Sequence, residues 1–461
     1  MIPKWKGLVA ALALMGSLLA CSVSTLPILS TPSSVPTPAT GATESPTKTA
    51  TQAQGRQAGS STGLIAFVGL DGNVYTTDSE GQHHTPVTVD ALVRPSGGQP
   101  GRIYQFPTWS PDGQRLAFMR FIGDTTSATQ STLMASTVDG KNQVEAFTSQ
   151  DTAPFYLFWS PDSQKITFLA NNPGGGLALY LAAASGGDSK LVSTGQPYYW
   201  DWSPDNRTLI IHTGGDATSN PDARLALVEI DGSVVKNELD LKPGLFQAPA
   251  WSPAGASMAL TTLDETGGQA LVLAGQDGKV TQTLTQLDGP VAFSWSPQGG
   301  RLAYTSLIPG KSGTTSSLVL MDTANPDQKK EIGQGGDLLA FFWSPDGSKI
   351  AYFVPTGSGP QASVRLVAQN SPQVNLAVDV YDLASGQTQQ IATFAPTDSF
   401  NEVLPFYDQY QRSGTIWSPD SRSLVLAGVN TGGADAIFVV DAAGGPLHKV
   451  ADGEVAFWSW K

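Results

Sequence analysis

Residues that commonly carry chemistry are few in this chain of 461 residues, and their spacing favours no known reaction. The four histidines are His83, His84, His212 and His448. No cysteine or carboxylate joins them at the spacing that zinc sites use. The stretch Gly310-Lys311-Ser312 lacks the first glycine of a phosphate-binding loop, because Thr305 stands in its place. A Gly-x-Ser-x-Gly nucleophile elbow is absent as well. We therefore predict no catalytic residue, no metal site and no cofactor.

The most regular pattern is a Trp-Ser pair that recurs along the chain and is mostly followed by Pro-Asp-Gly or a close variant. The tryptophans are Trp109, Trp159, Trp202, Trp251, Trp295, Trp343, Trp417 and Trp458. Successive spacings of 50, 43, 49, 44, 48, 74 and 41 residues match the period of a four-stranded propeller blade. We interpret the tryptophans as packing between blades and the aspartates as braces of turns. The pattern therefore predicts architecture and no ligand.

One repeat shows how the sequence builds a blade. Tyr104–Ser110, Arg115–Met119, Leu133–Val138 and Val144–Thr148 alternate with turn signals and are predicted to be strands A, B, C and D. Between A and B, Pro111 fixes φ, Asp112 can bond a nearby backbone N–H, and Gly113 tolerates a positive φ. The expected unit is a four-stranded antiparallel sheet.

Both ends of the repeat region contribute to one blade. Trp458 begins a unit that has only three residues after it, whereas Leu64–Phe67 resembles a second strand that has no first strand before it. Asn73–Asp78 and Thr85–Asp90 are predicted third and fourth strands. We therefore predict an all-β, eight-bladed β-propeller closed by N- and C-terminal strands in one blade. The alternative is seven blades with one decoy Trp-Ser unit.

The first 63 residues have another composition. Lys4 and Lys6 precede an apolar run that stops at Cys21, the only cysteine, which predicts a lipoprotein signal peptide over residues 1–20 and lipidation of Cys21. The run is too short for a transmembrane helix. Residues 21–63, rich in Ser, Thr and Pro, are predicted to be a disordered tether, and residues 64–461 the propeller. The interpretation places the protein on the extracytoplasmic side of a bacterial membrane, in the periplasm or at the cell surface. The alternative is an ordinary cleaved export signal.

Charge restricts the partners. The formal net charge is −13, and no cluster of basic residues with interleaved aromatics occurs, so nucleic-acid binding is not expected. The predicted attachment to a membrane is through lipidated Cys21. We expect a monomer, while the sequence leaves open whether an envelope protein, a peptide or a glycan is the ligand.

Loop lengths indicate where a ligand would bind. In antiparallel blades the A-to-B and C-to-D turns share one face, the short-turn face, and the B-to-C and D-to-A loops share the other, the long-loop face. The longer loops are predicted at Asp90–Ile103, Gly123–Gln130, Gly214–Arg224, Ile308–Ser317, Pro355–Val374 and Ala395–Gly414. Because function concentrates on variable loops, we expect the ligand at this face. Its candidate residues are Arg102, Tyr104, Tyr156, Tyr199, Phe246, Tyr407, Tyr410 and Arg412. The alternative, that each ring is a core residue of a first strand, stays open.

The Trp-Ser-Pro-Asp-Gly repeats resemble those of TolB-like, WD-repeat-like bacterial propellers over about Leu64 to Lys461. The resemblance implies the propeller fold. TolB itself has six blades and an additional N-terminal α/β domain, so the resemblance does not extend to a Tol or Pal partner. Prolyl oligopeptidases carry a similar propeller beside a hydrolase domain, for which this chain has no room.

The leading hypothesis is a non-enzymatic, membrane-anchored propeller that binds a protein or peptide in the cell envelope. The first alternative is an enzyme that acts on polysaccharide or peptide in the propeller channel, and two converging carboxylates would favour it. The second alternative is a structural or sensory domain that gates another membrane component.

Overall fold

A computed structural model describes residues 63–95, 99–124, 128–231, 234–245, 247–310, 313–333, 338–356 and 375–461. The predicted signal peptide, Cys21 and nearly all of the tether lie outside these residues, and so does most of the extra segment Pro355–Val374. The regular secondary structure of the described chain consists of strands, apart from one short helical stretch.

The strands are β1 (Ile65–Gly69), β2 (Val74–Thr77), β3 (Thr85–Pro86), β4 (Gly101–Trp109), β5 (Arg115–Gly123), β6 (Ala128–Thr137), β7 (Val144–Ser149), β8 (Pro154–Trp159), β9 (Lys165–Asn171), β10 (Leu177–Ala183), β11 (Lys190–Gly195), β12 (Tyr198–Trp202), β13 (Thr208–Thr213), β14 (Arg224–Glu229), β15 (Val235–Glu238), β16 (Ala250–Trp251), β17 (Ser257–Leu263), β18 (Gln269–Gly275), β19 (Val280–Leu287), β20 (Phe293–Trp295), β21 (Arg301–Gly310), β22 (Gly313–Asp322), β23 (Lys329–Ile332), β24 (Ala340–Trp343), β25 (Lys349–Pro355), β26 (Leu376–Asp382), β27 (Gln387–Phe394), β28 (Ser423–Val429), β29 (Asp435–Asp441), β30 (His448–Ala451) and β31 (Gly453–Trp458).

These strands form eight antiparallel sheets, which confirms the predicted eight-bladed propeller. Blades 1 to 6 are β4–β7, β8–β11, β12–β15, β16–β19, β20–β23 and β24–β27. Blade 7 is β28–β30, and its first strand is reduced to a bridge between Trp417 and Leu424. Blade 8 joins β31 to β1, β2 and β3, so the C-terminal strand completes the N-terminal sheet as predicted. The ring leaves only the outermost strand of each blade as a short sheet edge.

Individual strand limits differ from the prediction at the long-loop face. In blade 1, β4 begins at Gly101 and β5 continues to Gly123, so both strands extend beyond the predicted Tyr104 and Met119. The predicted loop Ile308–Ser317 is mostly strand, because β21 reaches Gly310 and β22 starts at Gly313. Cross-strand backbone pairing extends this hairpin to Gly310 and Gly313, and local turn signals do not reveal such pairing.

The Trp-Ser turn is a small hydrogen-bonded unit. In blade 1, the Ser110 hydroxyl donates to Asp112 Oδ1 over 2.6 Å and accepts from the Arg115 N–H over 3.0 Å. The same hydroxyl-to-carboxylate bond is made by Ser160, Ser203, Ser344 and Ser418. Each serine therefore closes its turn, and each aspartate orients the serine.

Three turns place a side chain where the others have glycine. Ser163, Asn206 and Ser421 have φ values of 61°, 64° and 58°, which are unfavourable for residues with a Cβ. Their side-chain oxygens accept the backbone N–H of Asp112, Asp162 and Asp346, respectively, in the turn of the preceding blade. The inter-blade hydrogen bond offsets the backbone strain.

The tryptophans link neighbouring blades. Trp159 Nε1–H donates to the Thr108 carbonyl over 3.0 Å, one residue before the tryptophan of the preceding blade. Trp109, Trp295, Trp343 and Trp417 donate to the equivalent carbonyls of Phe457, Ala250, Ser294 and Phe342. Trp202 donates instead to the Thr167 hydroxyl, which in turn donates to the Phe158 carbonyl. We call the hydrogen bond from the indole N–H of a repeat tryptophan to the preceding blade the indole latch. Within the described chain, the buried Nε1 atoms of Trp251 and Trp458 have no partner.

The extra segment Ala395–Gly414 contains helices that the sequence prediction did not include. Helix α1 (Asp398–Val403), a 3-10 turn (Leu404–Phe406) and helix α2 (Tyr407–Ser413) follow one another between blades 6 and 7. Thr397 caps α1, because its hydroxyl accepts the Phe400 N–H over 3.2 Å. We call this helical stretch the plug.

Candidate functional site

The plug lies among the first strands of the blades, where a propeller has its central channel. Thr397 Oγ1 donates to the Glu454 carbonyl of blade 8 over 2.5 Å, and Phe400 contacts Phe353 of blade 6. On the opposite side, the Tyr156 hydroxyl of blade 2 donates to the Gln409 carbonyl over 2.6 Å. Because these contacts span the ring, the plug closes the middle of the long-loop face.

Aromatic rings fix α2 in place. Tyr407 lies 5.1 Å from Phe341 and 6.3 Å from Phe342, both on β24 of blade 6, measured between ring centroids. Tyr410 makes an edge contact with Tyr156 at 5.0 Å. Such aromatic pairs stabilise by about 0.5–1.5 kcal/mol beyond the area that they bury. Blades 2 and 6 thus contact α2 from opposite sides of the ring.

A buried ion pair ties the plug to blades 3 and 4. Arg412 Nη1 lies 3.4 Å from Asp201 Oδ2 of blade 3, and the side chains of both residues are about one-tenth exposed. The same guanidinium donates to the carbonyls of Ala248 and Pro249, which lead into blade 4. Asp201 Oδ2 also accepts the backbone N–H of Trp251 over 2.7 Å. This arrangement neutralises the buried carboxylate with a cation and backbone donors, as a buried charge requires.

Burial sets the ionisation of the acids near α2. It raises the pKa of Asp201, and Arg412 opposes that shift. Burial likewise raises the pKa of Asp408, which is also close to Arg412 and accepts the Ala248 N–H over 3.4 Å. The side chains of Asp201, Asp408 and Arg412 therefore help to hold the plug in the channel.

The structure brings together four of the predicted ligand-binding residues, but in the interior. Tyr156, Tyr407, Tyr410 and Arg412 contact one another or the same helix, and Tyr156 and Tyr407 are buried. Tyr199 is half-buried on β12 beside them, and burial raises its pKa well above the ordinary value. The alternative that these rings are core residues fits their positions, because the plug covers the surface that an open channel would expose.

Two further candidates, Arg102 and Tyr104, lie near the beginning of β4 and both contact Asp90. The Tyr104 hydroxyl donates to Asp90 Oδ1 over 2.6 Å, and Arg102 forms an ion pair with Asp90 Oδ2. The Tyr104 side chain is buried, whereas Arg102 is partly exposed. Phe246 lies outside the described residues.

Beside the plug, a cleft remains in the channel. We call it the plug cleft, and it holds about 50 Å³ between the plug and the first strands of blades 8, 1 and 2. Its wall includes Phe106, Leu157 and Phe457, and its polar groups include Glu402 and Glu454. Phe106 has a φ of 56° at a β-bulge, which turns its half-buried ring into this wall. A non-glycine residue in this conformation costs about 1–3 kcal/mol of backbone strain. Such strained residues are often found at functional sites.

Glu402 is the most perturbed carboxyl of the plug cleft. Its pKa is raised to about 7, chiefly by desolvation and also by the negative charges of Asp398 and Glu454. A carboxyl with this pKa exchanges a proton near neutral pH. The cleft is therefore a partly apolar site with an acidic mouth.

The histidines occupy structural positions. His83 Nδ1 lies 2.5 Å from Asp78 Oδ2, and His84 Nε2 lies 2.9 Å from the Val450 carbonyl. His448 Nε2 is 3.2 Å from the Glu80 carbonyl, so these three histidines lie on the adjacent blades 7 and 8. His212 is fully buried, which lowers its pKa, and its ring bridges the Gln247 and Gly215 carbonyls. In the described ranges, no group of three or more His, Cys, Asp or Glu residues is arranged to hold a metal ion.

Sequence reasoning missed the residues that form the new features of this face. Asp201, Asp408 and Glu402 were not among the candidates, nor was Phe106. Asp201 had a detectable signal, since it is a carboxylate inside the aromatic strand Tyr198–Trp202. Glu402 and Asp408 had none, because their environment depends on where the plug folds.

This architecture defines an all-β, eight-bladed propeller whose channel is closed on one face by its own chain. The family described as the TolB beta propeller domain matches residues 97–289, so this part of the chain is similar to TolB propellers, as its repeats indicated. A comparison with curated protein sequences finds no match. No helix within the described ranges has the length and apolar character needed to cross a membrane.

Solved structures are similar to this chain at low sequence identity. TolB from Acinetobacter baumannii is 17% identical over 60% of this chain and 66% of that chain, with a TM-score of 0.36. A eukaryotic initiation factor is 13% identical over 86% and 98% of the two chains, with a TM-score of 0.50. An oligogalacturonate lyase in complex with manganese is 13% identical over 82% and 96%, with a TM-score of 0.47. At these identities the likeness concerns the fold alone.

Proposed function

We propose that this protein is a non-enzymatic binding scaffold of the bacterial cell envelope, which captures a protein or peptide at the plug cleft. The supporting observation is that the cleft is a concave, mostly apolar site in the channel beside the plug. Half-buried Phe106 offers an apolar anchor, and Glu402 and Glu454 offer polar contacts at the mouth.

Anchoring by lipidated Cys21 is part of this proposal. The apolar run before Cys21 and the polar segment after it support export and attachment, and a TolB-like propeller is compatible with an envelope location. Membrane fractionation of Cys21→Ser against wild type tests it. We expect the variant in the soluble envelope fraction and without incorporated fatty acid. A variant that stays lipidated or membrane-bound would exclude this anchor.

The binding test compares Phe106→Ala with Leu191→Ala, since Leu191 is an exposed apolar residue on the outer strand of blade 2. Both variants and wild type are used for affinity capture from native membranes, after thermal unfolding shows that they are folded. We expect a stoichiometric partner that wild type and Leu191→Ala retain and that Phe106→Ala loses. Retention by all three proteins would place the binding surface elsewhere.

One observation favours an enzyme as a second candidate function. Glu402, with a pKa of about 7 and Glu454 nearby, could donate a proton to a glycosidic or peptide leaving group. Turnover of polysaccharides and peptides by wild type and Glu402→Gln tests this. Activity that shows a pH inflection near 7 and disappears in Glu402→Gln would support the enzyme. Activity unaffected by the substitution would remove Glu402 from the reaction.

A further inference from the structure

The guanidinium group of Arg412 occupies a site that blades 3 and 4 build for it. Its Nη1 lies 3.4 Å from Asp201 Oδ2, and it donates hydrogen bonds to the carbonyls of Ala248 and Pro249. We call these three acceptor residues the guanidinium site. One carboxylate and two carbonyls suit a guanidinium, whose several N–H donors point in fixed directions, better than a compact ammonium. None of the three residues lines the plug cleft, so binding at this site is independent of the proposed function.

The propeller itself holds the guanidinium site in place. The backbone N–H of Trp202 donates to Asp201 Oδ1 over 3.0 Å, and the backbone N–H of Trp251 donates to Asp201 Oδ2 over 2.7 Å. The two carbonyls precede β16, whose pairing with β17 starts at Ala250, so they lie outside that ladder. The acceptors therefore belong to the blades, and only the guanidinium is supplied by the plug.

The plug is an imperfectly matched occupant of this site. Asp408 lies one helical turn before Arg412, so α2 brings a second acid into the channel with its cation. Burial raises the pKa values of Asp201 and Asp408, and the guanidinium opposes both shifts. Three amide side chains of the plug also have buried atoms without a partner in the described chain: Asn401 Oδ1, Gln409 Nε2 and Gln411 Nε2. Such unpaired groups weaken the hold on the plug.

We propose that the guanidinium site binds an arginine side chain of a partner protein, which replaces Arg412 and displaces the plug from the channel. The arginine of the partner pairs with Asp201 and donates to the same two carbonyls. It brings no second acid, and the departing plug returns Asp408 to solvent. The plug is thus a competitor built into the chain, and the net charge of −13 attracts the basic segment that carries the arginine.

The first test measures fluorescence anisotropy of a labelled, capped Gly-Gly-Arg-Gly-Gly peptide, and of its lysine counterpart, with the full-length protein. Arg412→Gln removes the internal competitor. The matched control is Arg224→Gln, which removes a partly exposed arginine paired with Glu238 on the outer part of blade 3. We expect Arg412→Gln to bind the arginine peptide at least tenfold more tightly than wild type or the control does. Equal affinities of the three proteins, or of the two peptides, would overturn the proposal.

A second variant examines whether the peptide binds at Asp201. Asp201→Asn combined with Arg412→Gln leaves two neutral amides in place of the ion pair, so no unpaired charge is buried. We expect the double variant to bind the arginine peptide at least tenfold more weakly than Arg412→Gln does. Thermal unfolding adds a readout that a destabilised variant still gives, since the peptide should raise the midpoint of Arg412→Gln and leave that of the double variant unchanged. Similar responses of both variants would place the peptide elsewhere and overturn the assignment.

Hydrogen exchange of wild type tests displacement of the plug. With saturating arginine peptide, we expect faster exchange of the amides of residues 407–413 and unchanged exchange in the strands of blade 5. Peptide binding that leaves the exchange of α2 unchanged would overturn the displacement. Absence of binding to wild type at millimolar peptide would show that the plug is not replaced, and would overturn the competition.

Discussion

Between blades 6 and 7, the Trp417 N–H donates to the Phe342 carbonyl, and the Ser421 hydroxyl accepts the Asp346 N–H. Between blades 3 and 4, the indole N–H of Trp251 finds no partner in the described chain, and Gly255 has no side chain at the position of Ser421. The first interface is closed by residues of the repeat itself. The second borders a cleft of about 670 Å³ at the short-turn end, and Arg412 of the plug donates to the Ala248 carbonyl just before Trp251. The missing indole hydrogen bond between blades 3 and 4 is therefore accompanied by contacts from the insertion that precedes blade 7.

The largest expected effect concerns Arg412, which replaces the missing latch. Arg412→Ala leaves the Asp201 carboxylate buried without its cation, so we expect a loss of about 3–5 kcal/mol in the free energy of unfolding. Urea denaturation gives the loss, and hydrogen exchange should increase at Trp251. Arg102→Ala, which breaks a more exposed pair with Asp90, should cost less than about 1 kcal/mol. Similar costs for both would show that Arg412 does not hold this interface.

A direct comparison of two latch positions is the next test. Trp417→Phe removes a satisfied N–H and part of a fully buried ring, with an expected cost of about 3 kcal/mol. Trp251→Phe removes an unpartnered N–H beside a cleft, so a cost of about 1 kcal/mol is expected. Denaturation of both variants measures the difference. If Trp251→Phe is the more damaging substitution, the contrast between the two interfaces is wrong.

The free energy of unfolding should depend on pH through Glu402 of the plug. Its pKa is about 7 in the folded protein and 4.5 ordinarily, so the folded state binds this proton more tightly than the unfolded state. This contribution to stability is present in full below pH 4.5 and is lost as the pH rises to about 7. Glu402→Gln lacks the contribution, so its stability should fall less between these pH values. Denaturation midpoints at pH 5 and pH 8 measure the effect, and parallel pH dependence in both proteins would contradict it.

The smallest effects should come from the turns. Ser421→Ala keeps a strained φ but loses the bond to Asp346, so we expect a cost of about 1 kcal/mol, whereas Ser421→Gly relieves the strain and should be nearly neutral. Gly255→Ser introduces a hydroxyl beside the turn of blade 3, where its Cβ would lie 3.5 Å from Pro204. It should be more stable than Gly255→Ala by about 1 kcal/mol if the missing turn bond forms. Equal midpoints for the two Gly255 variants would show that it does not.

The candidate site was less predictable than the fold. The structure brings Tyr156, Tyr407, Tyr410 and Arg412 together, but in the channel and not on an exposed face. Their burial was not predictable, since it depends on helices α1 and α2 folding back into the channel. The segment Ala395–Gly414 has no counterpart in the other repeats, so its helical fold could not be recognised by comparison with them.

The sequence by itself determined the eight blades, their strand order and the closure of blade 8, because Trp-Ser turns recur at the blade period and each turn is stabilised by neighbouring residues. Only the tertiary structure decided that the plug fills the channel and that blades 3 and 4 part into an acidic cleft. Both features depend on side chains far apart in the chain, such as Asp201 with Arg412, whose interaction exists only when the ring is closed.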